Sequence, residues 1–333
     1  MTRIAIDAMG GDNAPSAPVK GAQMVCRDKS LEIILVGLRS EIENILEPDF
    51  SPYLAIDHTS SYVSMADKVS LSLIKERDTT MARIMDLLKE GRVDVGLSAG
   101  NTAAFVTLAV SRLGLLEGIE RPAIAVFLPT VTGKYTVTLD VGANASPKPK
   151  HLFQCGLLGS CYARTIMEIE RPRVGLLNVG EESTKGDDLR RETFKLLREA
   201  DHLINFVGNV EGQDVFQGKV DVLVCDGFTG NILLKASEGL FRSFRSILRR
   251  ELTKDLIGKF GSLLLRNHFH EFARRCDYAD YGGGILLGVK GLVVVSHGRS
   301  SPRAIANAIR QGQLADEKKL MKNLFSLMEK LPL

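Results

Sequence analysis

The sequence lacks tryptophan and has few aromatic residues. Its 333 residues include six Tyr and 14 Phe, so aromatic side chains make up 6% of the chain. Proteins that bind single-stranded nucleic acid stack bases on such side chains. The formal net charge of +3 is also too small to attract a polyanion strongly. We therefore expect no nucleic acid partner.

Cysteines and long apolar runs are also scarce. The five cysteines form no CxxC pair and no zinc-finger spacing, which is typical of reduced cysteines packed in a core. No apolar run approaches the ~20 residues that span a bilayer. The chain enters a strand pattern at once, without the leader of a signal peptide. These patterns predict a cytoplasmic protein whose membrane contact can only be peripheral.

Motifs of several common enzyme classes are missing. The chain has no GxSxG of serine hydrolases, no Walker P-loop and no complete GxGxxG fingerprint. Its His, Asp and Glu residues show no metal-ligand spacing, so we expect no metal and no cofactor. The site must therefore depend on backbone N–H groups, amides and lysine, an inventory suited to binding phosphate and stabilising an oxyanion.

Strand and helix patterns alternate along the chain, which favours an α/β fold with a mainly parallel sheet covered on both faces. Short apolar runs predict strands at residues 4–8, 32–37, 54–57, 93–97, 174–178, 204–207 and 222–226. Residues 123–128 and 135–139 are predicted to form a hairpin, and 285–295 a second strand pair. A helix is expected over 151–170 and a long one over 232–254. We expect one domain over residues 1–333.

Polar and glycine residues collect where the predicted strands end, and ligands of open α/β sheets bind at carboxyl ends of strands. We therefore expect one site built from many loops. The candidate substrate and phosphate contacts are Asp7, Gly10, Gly11, Ser98, Gly100, Asn101, Thr102, Asp140, Asn144, Asn178, Gly180, Glu181, Asp226, Thr229, Gly230 and Gly298. Turn and helix-cap roles are the alternative for each of these residues.

Lys185 is the candidate catalytic cation. It lies in a polar loop after the strand at 174–178, just before Asp187 and Asp188, either of which can cap the next helix. This position puts a lysine at the carboxyl end of a strand. The alternative is an ordinary solvated loop lysine.

A basic and apolar segment lies between Arg242 and Arg275. It contains nine Lys or Arg and three acidic residues, while the rest of the chain is slightly acidic. Large apolar residues alternate with these charges, among them Phe260, Leu263 and Leu264 beside Arg266. A homodimer interface, a membrane-surface helix and a plain core helix are the three interpretations.

Six motifs occur in a characteristic order. They are Asp7–Asp12 (DAMGGD), Ser98–Thr102 (SAGNT), Asp140–Asn144 (DVGAN), Asn178–Glu182 (NVGEE) with Lys185-Gly186, Asp226–Asn231 (DGFTGN) and Ser296–Gly298 (SHG). Together they closely resemble the bacterial acyl-acyl-carrier-protein:phosphate acyltransferases, the PlsX family. The resemblance covers residues 3–315. Asn13, Ala103 and the pair Ser183-Thr184 depart from the residues that are common in the family.

The resemblance implies a Rossmann-like three-layer α/β/α sandwich, related to isopropylmalate dehydrogenases and phosphotransacetylases, that acts as a homodimer. It implies transfer of a long-chain acyl group from acyl carrier protein to inorganic phosphate. The acyl phosphate would then serve a membrane glycerol-3-phosphate acyltransferase in phospholipid synthesis. It also implies that residues 239–275 form a helical dimer and membrane contact, with Phe260, Leu263, Leu264 and Arg266 at the inner face of the cell membrane.

Within that resemblance we expect Lys185 and Asn231, with N–H groups at 100–102 and 298, to hold phosphate and stabilise the oxyanion. His297 is a third catalytic candidate as proton donor to the leaving thiolate, with a cap or structural role as the alternative. Three other functions stay open: a phosphate acetyl- or butyryltransferase that uses coenzyme A thioesters, a dehydrogenase, and a non-catalytic membrane scaffold for lipid enzymes.

Overall fold

A computed structural model describes residues 1–47, 52–76, 78–269, 272 and 282–330. The described residues include eleven strands, which form one sheet: β1 Thr2–Asp7, β2 Leu31–Gly37, β3 Leu54–His58, β4 Val95–Ser98, β5 Ala123–Pro129, β6 Tyr135–Leu139, β7 Arg173–Asn178, β8 Asn205–Glu211, β9 Val222–Val224, β10 Gly284–Leu287 and β11 Leu292–Val295. The α-helices are α1 Ser16–Val25, α2 Arg39–Glu43, α3 Leu71–Lys75, α4 Thr80–Lys89, α5 Thr102–Leu113, α6 Pro149–Ile166, α7 Asp188–Glu199, α8 Gly227–Leu252, α9 Leu256–Leu264, α10 Pro302–Glu317 and α11 Leu320–Glu329.

The strand order is β3-β2-β1-β4-β11-β10-β5-β6-β9-β7-β8. Strands β3, β2, β1, β4 and β11 are parallel to one another, and so are β6, β9, β7 and β8. The three pairings between these groups, β11 with β10, β10 with β5 and β5 with β6, are antiparallel. The sheet is mainly parallel, as predicted, but its two parallel groups run in opposite directions.

Helices cover both faces of the sheet. Successive residues of β1 show the alternation, because Ile4 and Ile6 belong to one buried cluster and Ala5 to the other. The first cluster also holds residues of α1, α6, α7, α10 and α11, and the second holds residues of α4, α5 and α8. This arrangement is the three-layer α/β/α sandwich that the resemblance implied.

Short polar side chains cap three helices, and one of them, Asp187, was a predicted cap. Asp187 accepts a hydrogen bond from Arg190 N at 3.0 Å to begin α7, and Ser301 accepts from Ala304 N at 3.2 Å to begin α10. Thr79 caps α4 in the same way. A short polar side chain placed before an apolar helical pattern was therefore a sufficient signal for these boundaries.

Some predicted boundaries were wrong. Residues 208–211, expected as a loop, continue β8 as far as Glu211 because they pair with β7. The predicted helix over 151–170 ends at Ile166. Helix α8 begins at Gly227 rather than residue 232, since Asp226 caps it. Thr229, Gly230 and Asn231 therefore belong to the first turns of a helix.

Candidate active site

The loops after β1 and β4 are held together by a buried chain of hydrogen bonds. Ser98 Oγ donates to Asp7 Oδ2 at 2.7 Å and accepts from Gly100 N at 2.9 Å. Asp7 Oδ1 accepts from Met9 N at 3.2 Å. Burial raises the pKa of the Asp7 carboxyl, while the hydrogen bond from Ser98 opposes that shift. The buried hydrogen bonds of Asp7 and Ser98 thus hold these two loops in place.

Two glycines let these loops meet the segment after β11. Gly11 has a φ of +102°, and a β-carbon there would lie 2.9 Å from the carbonyl oxygen of Gly298. A β-carbon at Gly10 would lie 2.5 Å from Asp7 Oδ2. Asp12 N donates to Gly298 O at 2.7 Å. The structure therefore brings Asp7, Gly10, Gly11, Ser98, Gly100 and Gly298 together, and we call these residues the first-edge group.

Asn101 and Thr102 begin α5 beside this group. Asn101 Oδ1 accepts from Ala104 N at 3.1 Å, and its Nδ2 donates to Asp67 O at 2.9 Å. The Asn101 side chain is therefore occupied as the helix cap and as an anchor for the loop before α3. Thr102 is the first residue of the helix.

Asp140 organises the loop after β6. Its two carboxylate oxygens accept five hydrogen bonds, from Ile124 N, Gly142 N, Ala143 N, Asn144 N and Asn144 Nδ2. The residue is 1% exposed, and this burial raises the pKa of its carboxyl despite those hydrogen bonds. Asn144 also accepts from Gly227 N at 2.8 Å through its backbone oxygen. Asp140 and Asn144 therefore seat the start of α8.

Asp226 joins α8 to α7, the helix that follows the Lys185 loop. Its Oδ1 accepts from Thr229 N at 2.9 Å, and its Oδ2 is paired with Arg190, which also contacts Thr229 Oγ1. Burial alone would raise the pKa of Asp226, but the Thr229 hydrogen bonds and the Arg190 charge outweigh it and lower that pKa. Arg190 was not among the predicted site residues, and no sequence motif marks it.

The Lys185 loop is held by side chains of β7 and β8. Asn178 Nδ2 donates to Lys185 O at 3.1 Å, and Asn209 Nδ2 donates to Glu182 O at 2.8 Å. Glu181 lies 3.5 Å from Lys219 Nζ, so its carboxylate faces away toward that lysine. The Lys185 side chain is exposed. We call Asp140, Asn144, Asn178, Gly180, Lys185, Asp226, Thr229 and Gly230 the second-edge group.

The two groups follow strands of opposite direction. Strands β1, β4 and β11 end at one edge of the sheet, and β6, β7 and β9 end at the other. The predicted site residues therefore do not all lie at one edge of the sheet. The prediction of a single cluster of strand ends was wrong, because the two groups of strands run in opposite directions. Helix α8 links the groups instead, because it begins at Asp226 and Lys235, about two turns later, contacts His297. Asn231 lies one helical turn before Lys235 on the same side of α8.

His297 lies among cations. Its Nδ1 accepts from Arg299 N at 3.2 Å, and its Nε2 contacts Lys235 Nζ. Burial and then Lys235 lower the pKa of His297, so the ring is neutral near pH 7. A neutral ring argues against a proton-donating imidazolium. Lys235 and its neighbour Glu238 were missed because a Lys and a Glu on a helical pattern resemble an ordinary surface pair.

Helix α9 and the distal part of α8 are exposed. Helix α9 has no buried residue, and Phe260, Leu263 and Leu264 are 66%, 64% and 69% exposed. Leu240, Phe244 and Ile247 of α8 are exposed as well. The interpretation of this segment as a core helix is therefore wrong. Of the predicted 239–275 region, residues 270, 271 and 273–275 lie outside the described residues.

The described ranges contain neither a membrane-spanning helix nor a cluster of metal ligands. No helix in them combines the length and apolar character that crossing a bilayer needs. No three His, Cys, Asp or Glu side chains in them are arranged to hold a metal ion.

Solved structures share the fold. A phosphotransacetylase from Streptococcus pyogenes matches 95% of this chain and 94% of its own, with a TM-score of 0.61 at 18% identity. A 4-hydroxythreonine-4-phosphate dehydrogenase from Klebsiella pneumoniae matches 94% of this chain and 99% of its own, with a TM-score of 0.56 at 14% identity. At these identities the likeness establishes the fold alone.

Several phosphate acyltransferases are more similar to this chain in sequence than these solved structures are. A phosphate acyltransferase of Brevibacillus brevis is 44% identical over 308 residues, 92% of this chain and 91% of that protein. One of Nitratiruptor is 40% identical over 312 residues, 93% of each chain. The sequence model of the family described as "Fatty acid synthesis protein" matches residues 2–322. The chain therefore belongs to the phosphate acyltransferase family to which its six motifs pointed, the PlsX family, and is an enzyme of that class.

Proposed function

We propose that this enzyme transfers a long-chain fatty acyl group from the thioester of acyl carrier protein to inorganic phosphate. The product is an acyl phosphate for phospholipid synthesis. Membership of the phosphate acyltransferase family supports the reaction class. The proposal goes beyond this reaction class in two respects, the identity of the acyl donor and the pathway that uses the product.

One observation carries the proposal: the three buried aspartates of the first-edge and second-edge groups are already occupied. Asp7 accepts from Ser98, Asp140 accepts five hydrogen bonds, and Asp226 is shared between Thr229 and Arg190. None is free to serve as a general base. The groups that remain are donors, namely Lys185, Asn231, Lys235 and His297. Phosphate dianion is already a nucleophile at neutral pH, so donors are sufficient for this reaction.

In the proposed step, a phosphate oxygen attacks the thioester carbonyl carbon and forms a C–O bond. Lys185 and Asn231 stabilise the negative charge that develops on the carbonyl oxygen. The C–S bond then breaks, the electron pair leaves with the sulfur as a thiolate, and the acyl phosphate remains. The thiolate takes its proton from solvent, because the neutral ring of His297 is a poor acid.

The carrier protein and the membrane both suit the α8–α9 surface, defined here as residues 240–269. Its exposed basic residues are Arg242, Arg245, Arg249, Arg250, Lys254, Lys259 and Arg266, and its exposed acidic residues are Glu251 and Asp255. Excess positive charge favours an acidic carrier protein and anionic lipid headgroups. Exposed Phe260, Leu263 and Leu264 add apolar contact.

We propose a homodimer that uses part of this surface and associates peripherally with the cytoplasmic face of the cell membrane. There it would deliver acyl phosphate to a membrane glycerol-3-phosphate acyltransferase. The apolar side chains that α8 and α9 leave exposed within a single chain support such contacts. Sedimentation of the purified protein tests the dimer, since a single species at monomer mass would contradict it.

The experiment that tests the activity measures thiol release from palmitoyl-acyl-carrier-protein, with and without inorganic phosphate, alongside palmitoyl-coenzyme A. We expect phosphate-dependent release from the carrier protein. Release from coenzyme A alone would replace the proposal with a phosphotransacetylase activity, and no release from either would favour the scaffold. Hydroxylamine in the assay traps the acyl phosphate as a hydroxamate and separates transfer from hydrolysis.

A further inference from the structure

Lys235 lies in the candidate site without an assigned role. It is on α8 one turn after Asn231, and its Nζ contacts His297 Nε2 across 62 positions of the chain. Its side chain is 43% exposed, so solvent and small ligands reach it. None of the six motifs that identify the family contains it. The contact places its charge beside the first-edge group.

The charges around His297 favour an anion. Lys235, Arg299 and Arg242 each lower the pKa of His297 by their positive charge, and Glu238 opposes them. Arg299 also lies 3.8 Å from Asp12. Lys235 and Arg299 each have one carboxylate nearby, Glu238 and Asp12, so with Arg242 these groups carry one net positive charge. That charge favours a bound anion.

The hydrogen bonds of the His297 ring also favour a bound anion. Because His297 Nδ1 accepts the N–H of Arg299 at 3.2 Å, we assign the proton of the neutral ring to Nε2. Nε2 is the atom that faces Lys235 Nζ. The imidazole N–H and the ammonium are then two adjacent donors, and Glu238 Oε2 lies 3.7 Å from the ammonium. An oxyanion can accept from both, and the capped N-terminus of α10 begins shortly after, at Pro302.

Glu238 is placed to hold Lys235. Its Oε2 lies 3.7 Å from Lys235 Nζ, its side chain is 13% exposed, and its Oε1 is buried without a hydrogen-bond partner among the described residues. A simple surface ion pair would leave both partners exposed and would not direct the lysine toward a histidine. Glu238 instead lies where it can position the ammonium next to the ring.

We infer that Lys235 is the cation that binds inorganic phosphate, in a site completed by His297, with Glu238 as a positioning residue. This inference rests on the proposed function. It assigns phosphate binding and stabilisation of the thioester carbonyl to two different lysines. Lys235 and His297 hold the phosphate by the first-edge group. Lys185, in the second-edge group, is left to serve the thioester carbonyl. Helix α8 carries both Asn231 and Lys235 and is capped by Asp226 of the second-edge group.

The kinetic test compares Lys235→Met with Lys235→Arg and with Lys89→Met, which removes an exposed lysine of α4. We expect Lys235→Met to raise KM for phosphate by about 10- to 100-fold, the usual effect of losing a charge-assisted hydrogen bond, with little change in KM for the acyl donor. Lys235→Arg should recover part of the loss and Lys89→Met should match wild type. An unchanged KM for phosphate in Lys235→Met, in an enzyme whose wild type is active, overturns the inference. A wild type without phosphate-dependent release overturns the proposed function instead.

A binding test needs no turnover. The chain has six histidines, so proton NMR can follow each ring, and His297→Gln identifies the signal of His297. Titration with inorganic phosphate should raise the pKa of His297, because an adjacent anion favours the imidazolium. The rise should need higher phosphate concentrations in Lys235→Met, and somewhat higher ones in Glu238→Gln. A His297 signal that does not respond to phosphate in the wild type would contradict the assignment.

Discussion

Gly230, in the first turn of α8, lies against the carbonyl oxygen of Asp140. A β-carbon at position 230 would overlap that oxygen and would also approach Cys225 Sγ within 2.8 Å. The start of the helix and the loop after β6 are therefore in backbone contact. Asn231 follows directly, so this contact fixes where its amide lies.

The substitution Gly230→Ala should push the start of α8 away from the carbonyl oxygen of Asp140. We expect it to destabilise the fold by about 1–3 kcal/mol, the usual cost of overpacking, and to reduce kcat because Asn231 moves with the helix. Gly239→Ala is the matched control, since a β-carbon there meets no atom within 4 Å. That control should gain up to about 1 kcal/mol from better helix propensity. Urea denaturation measures both, and equal stabilities would contradict the packing argument.

Lys185→Ala should abolish most activity while the fold survives. The side chain is exposed and the loop is held by Asn178 and Asn209, so stability should not change measurably. We expect kcat to fall by about 10²- to 10³-fold, as when one oxyanion donor is removed. Lys195→Ala, an exposed lysine on α7, should behave as wild type. Near-normal turnover in Lys185→Ala would remove it from the mechanism.

Asp226 should give stability a specific dependence on pH. Its pKa is lowered in the folded protein, so the unfolded chain binds the proton more readily. Its contribution is present above the ordinary aspartate pKa of about 4 and is lost as pH falls through the lower folded value. Asp226→Asn keeps a capping side chain but loses the charge facing Arg190. Its unfolding free energy should therefore vary less over that acidic window than that of Asp188→Asn, which changes an exposed ion pair. Parallel curves for the two variants would contradict this prediction.

Leu263 and Leu264 should mediate membrane binding. Replacing both by Glu puts charge on the exposed apolar face of α9, so flotation with phosphatidylglycerol vesicles should be lost. Val131→Glu, at an exposed position in the β5–β6 turn, should still float. Unchanged flotation of the double variant would exclude α9 as the membrane contact.

Local signals in the sequence predicted much of the fold. Asp187 caps α7 as expected, because it stands just before an apolar helical pattern, and Ser301 and Thr79 hold the same position before α10 and α4. The β5–β6 hairpin was also found, since its strands are close in the chain. The extension of β8 to Glu211 was not found, because residues 208–211 are polar and glycine-containing and become a strand only by pairing with β7.

Long-range geometry explains what the sequence did not reveal about the site. The reversal between the two parallel groups depends on β10 pairing with β5, strands far apart in the chain. No local pattern carries that information. The contact of Lys235 with His297 has the same origin, because it joins residues 62 positions apart in the chain. The sequence motifs identified the loops of the candidate site. Only the three-dimensional fold shows which of these loops lie close together.

Phosphorus NMR of the reaction mixture tests the central claim most directly. The enzyme, palmitoyl-acyl-carrier-protein and inorganic phosphate should give a new acyl phosphate resonance, in an amount equal to the thiol released. The signal should disappear on addition of hydroxylamine. Thiol release with no new phosphorus signal, and free palmitate as the product, would show a thioesterase and would contradict the account.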